Sequence, residues 1–474
     1  MRVGLIGSSL LATSLLLTGC QNPSQNRHDK AATLQNAEWS DQAIAQLRDA
    51  IGKRAIHGLD GMRFDIGASR DNAQLTRVAL AYAGALARGA TDPDKLFDVY
   101  TVPRPHPDLQ IGLAEALKAG KVGEWLNSLA PQDDGYRKLS DAYVALRAHG
   151  NAQSAAIPDV GAAIRPGTRD RRIPAIAHQL AVFDYLKEPG QGDLYDAAKV
   201  AAIKAMQADY GIRPDGVIGS DVLAILNLSD MDRARAIAVN MERLRWLDRD
   251  APATRIDVNL AAARLTYWRD GKIADTRRVV VGEPDKETPQ LGSPIFRLVA
   301  NPTWTVPKSI QNKEIAGKGA GYLRRNNMIW KDGRIVQRSG PKNSLGLVKF
   351  DMKNNQAIYL HDTPAKQLFS ATRRQHSHGC VRVEDALSFA DMLAKDEGVT
   401  DQWQRARATD KETFVPLPRE IPVRMLYQTV LLDDSGVPIV RSDPYGWNDR
   451  VAKALGLGTG GGHHLKATSA DIGP

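Results

Sequence analysis

Hydrophobic positions along the chain change period about halfway, from helical spacing in the first half to strand-like alternation in the second. Leu75, Val78, Ala79 and Tyr82 fall on one helical face, and Leu109, Leu113 and Leu117 repeat at four-residue steps. Prolines at 103, 105 and 107 divide this region in two. A further helical run carries Tyr136, Leu139 and Tyr143. The pattern predicts a helical unit over 38–150, with His57 and His106 at its surface or in turns. Residues 151–172, rich in Ala, Pro, Gly and Arg, read as a linker. Helices are predicted over 173–186 and 196–210, the second with Val200, Ile203, Met206 and Tyr210 on one face. Asp215-Gly216 supplies a turn, and Ser220 can cap a short helix ending near Asn227, which closes a small helical unit at 173–228. A bridging helix follows at 231–246.

From residue 250 short alternating runs take over: Ile256, Val258 and Leu260, then Leu265 and Tyr267 beside Trp268, then 279–281 and 296–299. Gly, Pro and Asp turns separate them, which predicts a β-rich domain over 250–445. Residues 309–341 show little strand pattern, many basic residues and several glycines, and a loop that long in a compact domain is usually functional or mobile. An amphipathic helix over 383–395 turns Ala386, Phe389, Ala390 and Leu393 inward. Residues 401–417 are polar, and strands at 423–427 and 429–432 return to the domain. After Tyr445 the chain passes into glycines at 456–462, and 456–474 reads as a disordered tail whose His463 and His464 are too isolated for a metal site. The fold class is multidomain α+β.

Composition narrows the functional classes. The 474 residues are 43% hydrophobic and 25% charged, enough for two or three domains with ordinary cores. The net charge of +9, from 63 basic and 54 acidic residues, is spread without a long basic block, which argues against nucleic acid as a partner. A carboxylate-bearing substrate and an ordinary solvated surface both fit the excess. The first twenty residues contain Arg2, an apolar run from Val3 to Leu17, and Leu17-Thr18-Gly19-Cys20. This is an export signal, too short to span a bilayer. An ordinary cleaved signal is one reading. The small residues before Cys20 look like the bacterial lipoprotein cleavage box, and lipidation of Cys20 is the reading taken here. Each buried methylene contributes about 0.8 kcal/mol, so several acyl chains hold a protein at a membrane face. Gln21, by analogy with Gram-negative lipoproteins, points to the periplasmic side of the outer membrane, with 21–37 as a tether.

With Cys20 acylated, Cys380, the only other cysteine, has no disulfide partner within the chain, which suits an unpaired nucleophile. Cys380 ends the run His376-Ser377-His378-Gly379-Cys380, and Ile358-Tyr359-Leu360 reads as a short buried strand that delivers His361 to a cleft. Gly379 permits a tight turn through which Cys380 and its amide can face His361. A thiol of pKa about 8.5 needs a base to attack a carbonyl at neutral pH, and an imidazole supplies one. Two other readings stand beside this one. Cys380 can be a small buried hydrophobe, or His361, His376, His378 and Cys380 can hold zinc, although no C-x-x-C or H-E-x-x-H cluster occurs elsewhere. No cofactor is indicated.

His361, the nineteen-residue step to Cys380, and Ser377-His378-Gly379-Cys380 together resemble the L,D-transpeptidase catalytic domain family. Residues 301–310 and 344–350 extend the resemblance to its larger periplasmic members, in which a helical scaffold comes first. The loop 211–219 between two helices is similar to that of the small three-helix peptidoglycan-binding domain, with Met206 where an aromatic is usual. The resemblance implies that 309–341 is a capping insertion over the cleft, whose Tyr322 and Trp330 either shape the donor pocket or pack the lid. It also implies that His361, oriented by the backbone carbonyl of Asp362, deprotonates Cys380. The thiolate attacks a diaminopimelate carbonyl in a tetrapeptide stem and expels D-alanine. Backbone N–H groups around His378, Gly379 and Cys380 receive the oxyanion, each such donor contributing about 3 kcal/mol, and His378 assists. The amine of a second stem then takes the acyl group, giving a 3→3 cross-link. Water or a protein amine as acceptor, and a non-catalytic lipid-anchored wall-binding scaffold, are the alternatives. Other cell-wall enzymes are possible partners. Many members carry Asn two residues after the cysteine, where Arg382 stands here; Arg382 or Trp304 would hold the stems, and Arg382 can instead pair with Glu384.

Overall fold

The computed structural model describes residues 38–149 and 156–458. Cys20 with its preceding signal, the tether at 21–37 and the end of the tail lie outside them. The helical unit is built from Asp41–Gly52, Asn72–Arg88, Leu109–Ala119, Val122–Leu129 and Asp134–Ala148. Ser40, Asp71, Asp108 and Asp133 each accept a first-turn backbone N–H, which contributes about 1 kcal/mol per cap. Leu75, Tyr82, Leu113, Tyr136 and Tyr143 fill the core. The proline-marked stretch does more than separate helices. It runs to the β-rich domain, where the Thr101 N–H donates to the Gln290 carbonyl at 3.1 Å and the Gly292 N–H to Thr101 Oγ1 at 3.2 Å. Pro103 would lie 2.7 Å from a Cβ on Gly292, so only glycine admits this approach.

His57 departs from its expected surface position; His106 is exposed. The His57 ring is buried, with Nδ1 3.2 Å from the Tyr136 hydroxyl. Burial, reinforced by the Arg245 charge, lowers its pKa from 6.5 to about 3. The unfolded chain therefore binds a proton in that window that the native state refuses, and stability is lost as pH falls below 6.5. Between neutrality and about pH 5 the His57 share is on the order of 2 kcal/mol. Urea midpoints at the two pH values should fall less in His57→Gln than in the native sequence; equal falls would remove His57 from the account.

The bridging helix runs Asp230–Trp246 and opens with a reciprocal Ser229–Asp232 capping box. Its C-terminal turn buries charge as well as apolar surface. Glu242 and Arg245 are fully buried and paired at 2.7 Å, and the Thr91 N–H and hydroxyl donate to the same carboxylate at 2.7 and 2.6 Å. The second helical unit comprises Ile173–Val182, Ala197–Asp209 and Ser220–Leu226. Ser220 is not the cap; Gly219 holds that position without a side-chain bond. The linker reading of 151–172 fails for its later part. Ile157 and Ile164 are buried, and Ile164 bridges Ile218.

The β-rich domain contains β1 (Arg255–Asn259), β2 (Arg264–Arg269), β3 (Lys272–Gly282), β4 (Ile295–Ala300), β5 (Trp304–Thr305), β6 (Met328–Lys331) and β7 (Arg334–Gln337). It continues with β8 (Val348–Met352), β9 (Leu360–His361), β10 (Gln375–Ser377), β11 (Val381–Val383), β12 (Thr413–Ile421) and β13 (Val423–Leu426). Ten of these form one mixed sheet in the order β12-β4-β8-β9-β11-β3-β2-β1-β13, with β10 beside β3. The helix Ala386–Asp396 covers one face, Phe389 meeting Phe350 at 5.6 Å between ring centroids. The polar run 401–417 is not a loop: it forms a helix, Thr400–Arg407, and most of β12. The insertion 309–341 holds strands the periodicity did not reveal. Its hairpin β6–β7 joins β5 in a separate three-stranded sheet over a small core of Trp304, Val306, Ile310, Ile315, Met328 and Ile335.

Residues beyond Tyr445 are folded further than expected. Trp447–Ala454 is a helix, and residues 456–458, assigned to the tail, include Gly456, which packs against Gly61 of the first unit. An aromatic hub joins the parts. Phe97 meets Trp246 at 6.2 Å and Trp447 at 5.0 Å, Trp447 meets Tyr445 at 4.9 Å, and the Tyr445 hydroxyl donates to the Gly282 carbonyl at 2.7 Å.

Candidate active site

Strand pairing brings the two candidate catalytic residues to one face. β9 runs parallel to β11, with Leu360 beside Val381 and His361 beside Arg382, and antiparallel to β8, with His361 beside Lys349 and Leu360 beside Phe350. Neighbours across a ladder share a face, as do alternate residues along a strand. Tyr359, His361, Cys380, Arg382 and Lys349 therefore face the cleft and its lid, while Leu360, Val381 and Phe350 face the helix-covered core. The Val381 N–H donates to the Tyr359 carbonyl at 3.1 Å, which sets Cys380 next to Tyr359.

His361 is fully buried, and its Nδ1 is 2.5 Å from the Asp362 carbonyl, so Nδ1 carries the proton and Nε2 is left as the basic atom. That Nε2 has no hydrogen-bond partner among the described residues. Asp362 acts here through its backbone. Its carboxylate accepts the Leu347 N–H at 3.0 Å and pairs with Lys366, and it lies where a Cβ on Gly346 would stand, which explains the glycine. Cys380 is 5% exposed, and its Sγ donates to the Ala357 carbonyl at 3.7 Å. Ala357 holds φ +56°, braced by the Asn354 side chain, which bonds both the N–H and the carbonyl of Ile358. Burial raises the thiol to about 11, against the opposing pull of Tyr359, Lys349 and Arg382. Burial and the Arg382 charge lower His361 to about 3. Burial thus favours the neutral form of both the thiol and the imidazole.

The turn before Cys380 is fixed by short contacts. Gly379 has φ +116°, a conformation that favours glycine. The Ser377 hydroxyl donates to the Cys380 carbonyl at 2.5 Å and accepts the Gly379 N–H at 3.2 Å, while Thr288 Oγ1 donates to the Gly379 carbonyl at 2.8 Å. The Gly379 amide is thus already bonded, and the expected set of three oxyanion donors is reduced by one. The His378 side chain is turned to the lid instead of an oxyanion position: its Nε2 lies 2.7 Å from Glu314 Oε1, and Glu314 also pairs with Lys286 at 3.3 Å. Burial pulls Glu314 toward protonation, but His378 and Lys286 outweigh it and hold the carboxyl below its ordinary value. This contact latches the lid to the turn that carries Cys380. Glu314→Gln weakens it, and alkylation of Cys380 by iodoacetamide should quicken by about tenfold as the lid opens more often. An unchanged rate, read by intact mass, would count against a latch.

Other expected site residues fall elsewhere. Trp304 is buried in the lid core and Tyr322 packs on it, so both hold the lid together instead of lining an open cleft; Trp330 is 56% exposed. Glu384 is held by Arg278, with a 2.9 Å bond to Arg278 Nε, which removes the expected alternative for Arg382. Arg382 is buried beside His361. His376 Nε2 meets the Arg373 carbonyl at 2.9 Å. Among the described residues no three His, Cys, Asp or Glu side chains are grouped as a metal site needs. Tyr359 and Lys349 were missed. Alternation from His361 reaches Tyr359 directly, and the Lys349 ammonium lies 4.3 Å from the Tyr359 ring centroid.

Residues 253–406 match the L,D-transpeptidase catalytic domain family, and residues 26–142 match a scaffold domain. Residues 170–226 match a family described as "Putative peptidoglycan binding domain". The chain carries an L,D-transpeptidase catalytic domain, preceded by a peptidoglycan-binding domain and an N-terminal scaffold domain. A Haemophilus influenzae protein named "Putative L,D-transpeptidase" is 29% identical over 239 residues, 45% of this chain and 48% of its own length. The chain thus spans about half the length of the curated relative it matches. Among solved structures, an L,D-transpeptidase from Stackebrandtia nassauensis is 15% identical, covering 56% of this chain and 94% of its own at a TM-score of 0.25. A mutant L,D-transpeptidase from Enterococcus faecium is 14% identical, covering 37% and 50%, at 0.22. Scores of this size carry no argument about the site.

Proposed function

We propose that this protein is an L,D-transpeptidase that makes 3→3 peptidoglycan cross-links through a thioester on Cys380, working in the periplasm from a lipid anchor on Cys20. The observation that carries the reading is the placement of His361: its Nδ1 is held by a backbone carbonyl, its Nε2 is unbonded, and it shares a sheet face with a lone sulfur. Nε2 takes the thiol proton, and the thiolate adds to the diaminopimelate carbonyl of a tetrapeptide stem. The C–N bond to D-alanine breaks as His361 returns the proton to the leaving amine. The side-chain amine of a second stem then attacks the thioester. An amide forms, the C–S bond breaks, and the sulfur recovers its proton through His361.

Incubation of the full chain with tetrapeptide-stem muropeptides tests this. Cross-linked dimers together with an acyl-enzyme mass on Cys380 are expected. Tripeptides alone would convert the reading to an L,D-carboxypeptidase, and unchanged muropeptides would overturn both. Membrane fractionation checks the anchor separately: a Cys20→Ser variant should be released, and unchanged fractionation would remove lipidation from the account.

A further inference from the structure

Beside the turn that carries Cys380 lies a cavity of about 290 Å³, whose lining includes His378 and Lys286, the two residues that pair with Glu314 of the lid. Gly379, next to the nucleophile, forms part of its wall, and Ile358 Cδ1 would stand 3.4 Å from a Cβ placed there. The missing side chain leaves the space open up to the residue that precedes the sulfur. The opposite walls come from other parts of the chain. Phe97 and Asp98 belong to the scaffold domain, Glu287 to the loop between β3 and β4, and Trp447 and Arg450 to the helix beyond the catalytic domain.

The charges on these walls are of both signs. One Glu287 oxygen accepts the Trp447 indole N–H at 3.1 Å, which fixes the carboxylate at the cavity. The Arg450 guanidinium lies 5.9 Å from the Phe97 ring centroid. Both Asp98 and Arg450 are exposed, and neither is in a salt bridge among the described residues. Two carboxylates, the cations Arg450 and Lys286, and the rings of Phe97 and Trp447 line this one cavity, a set that suits a ligand carrying an ammonium and a carboxylate on one carbon. The rings do not drift relative to the sulfur. Phe97 and Trp447 are packed in the aromatic hub, and Thr288, adjacent to Glu287, donates to the Gly379 carbonyl.

We propose that this cavity is the acceptor subsite, in which Arg450 holds the carboxylate of an amino-acid chain end while Asp98 and Glu287 draw in its ammonium, Glu287 taking one proton so that the freed amine can attack the thioester and passing that proton on to water. The inference rests on the reaction proposed above, and in that reaction the ligand is the free end of diaminopimelate in the second stem. The scaffold domain is then part of the binding site and not a separate module. A free amino acid offers the same head group, so the subsite also admits exchange with such a molecule in place of a stem.

The test uses the full chain, acylated at Cys380 by a tetrapeptide stem, and compares acceptors by mass spectrometry. Tripeptide stems ending in diaminopimelate carry an ammonium and a carboxylate on the same side-chain carbon, those ending in lysine lack the carboxylate on that carbon while keeping the C-terminal one, and free diaminopimelate supplies the head group without a stem. The native sequence should transfer to the diaminopimelate stem about tenfold faster than to the lysine stem, and Arg450→Ala should bring that ratio close to one. Asp98→Asn should raise the KM for both stems and leave the ratio in place, an effect that a general loss of packing would not produce. Faster transfer to free diaminopimelate than to the stem assigns the subsite to exchange; the reverse assigns it to cross-linking. A ratio unchanged in Arg450→Ala, with acylation intact, overturns the subsite while the thioester reading stands. Absence of any acyl-enzyme in the native sequence overturns both.

Discussion

Cys380→Ala is expected to lower formation of the acyl-enzyme and of every product derived from it by about 10⁴-fold or more. The loss follows from the chemistry, since alanine removes the thiol, the strongest nucleophile on this face once deprotonated, and Cys380 is the free cysteine among the described residues. The fold should survive. Cys380 sits just before β11; its carbonyl accepts the Ser377 hydroxyl, the following Val381 N–H donates to the Tyr359 carbonyl, and neither bond involves the sulfur. Thermal unfolding within a few degrees of the native sequence, together with loss of product, is the expected pair of results. Products retained at more than a hundredth of the native rate would place the nucleophile elsewhere. Serine should not rescue the reaction, because the base available is one imidazole whose pKa burial has already lowered to about 3.

Glu242→Ala is expected to destabilise the protein by about 3–5 kcal/mol. Its carboxylate takes the Arg245 guanidinium, the Thr91 N–H, the Thr91 hydroxyl and the Trp246 indole N–H, all out of water. Removing it strands an arginine that is fully buried, and takes away the bonds from Thr91 of the scaffold to the bridging helix. Arg245→Ala should cost a similar amount, since it also abandons the His57 carbonyl at 2.8 Å and the Tyr136 hydroxyl at 2.6 Å. The double variant Glu242→Leu with Arg245→Met should be closer to the native sequence than either alanine variant, because no charge is left unpaired. Urea denaturation decides this, and a loss below about 1 kcal/mol in both single variants would show that the pair is dispensable.

The candidate pair, His361 and Cys380, could be picked out because its signals are written locally. A strand-like run ending at His361 and a glycine before Cys380 state the geometry in a few residues each, and the structure places both on one sheet face. Tyr359 was accessible by counting alternate positions from His361, whereas Lys349 stands on another strand and is brought to His361 only by the β8–β9 register, which the sequence does not state. Glu314 was not accessible. It lies in a π-helical turn, Gln311–Ile315, whose side-chain directions follow neither of the periods used to read sequence. The buried charges of the bridging helix were hidden for a related reason. Amphipathic reading sends Glu242, Arg243 and Arg245 outward, and only contact with a distant segment such as Thr91 makes their burial possible. The strands of the insertion escaped because two four-residue strands, each a short apolar run ending or bounded by a basic or amide residue, carry too little alternation to register. The helix at 447–454 lay next to a glycine-rich tail and was absorbed into it.

The aromatic hub has a practical corollary for anyone trimming the chain. A fragment starting at residue 250 would keep the sulfur, the imidazole and the whole sheet, yet Phe97 and Trp246 would be gone and the ring of Trp447 would be left uncovered on one flank. Its truncated edge would expose apolar surface to water and loosen the bond from Tyr445 to Gly282, at the end of the strand that pairs with β11. Solubility and turnover should decline together in such a fragment, and adding back the first 249 residues as a separate piece should restore both in proportion to how much of it docks.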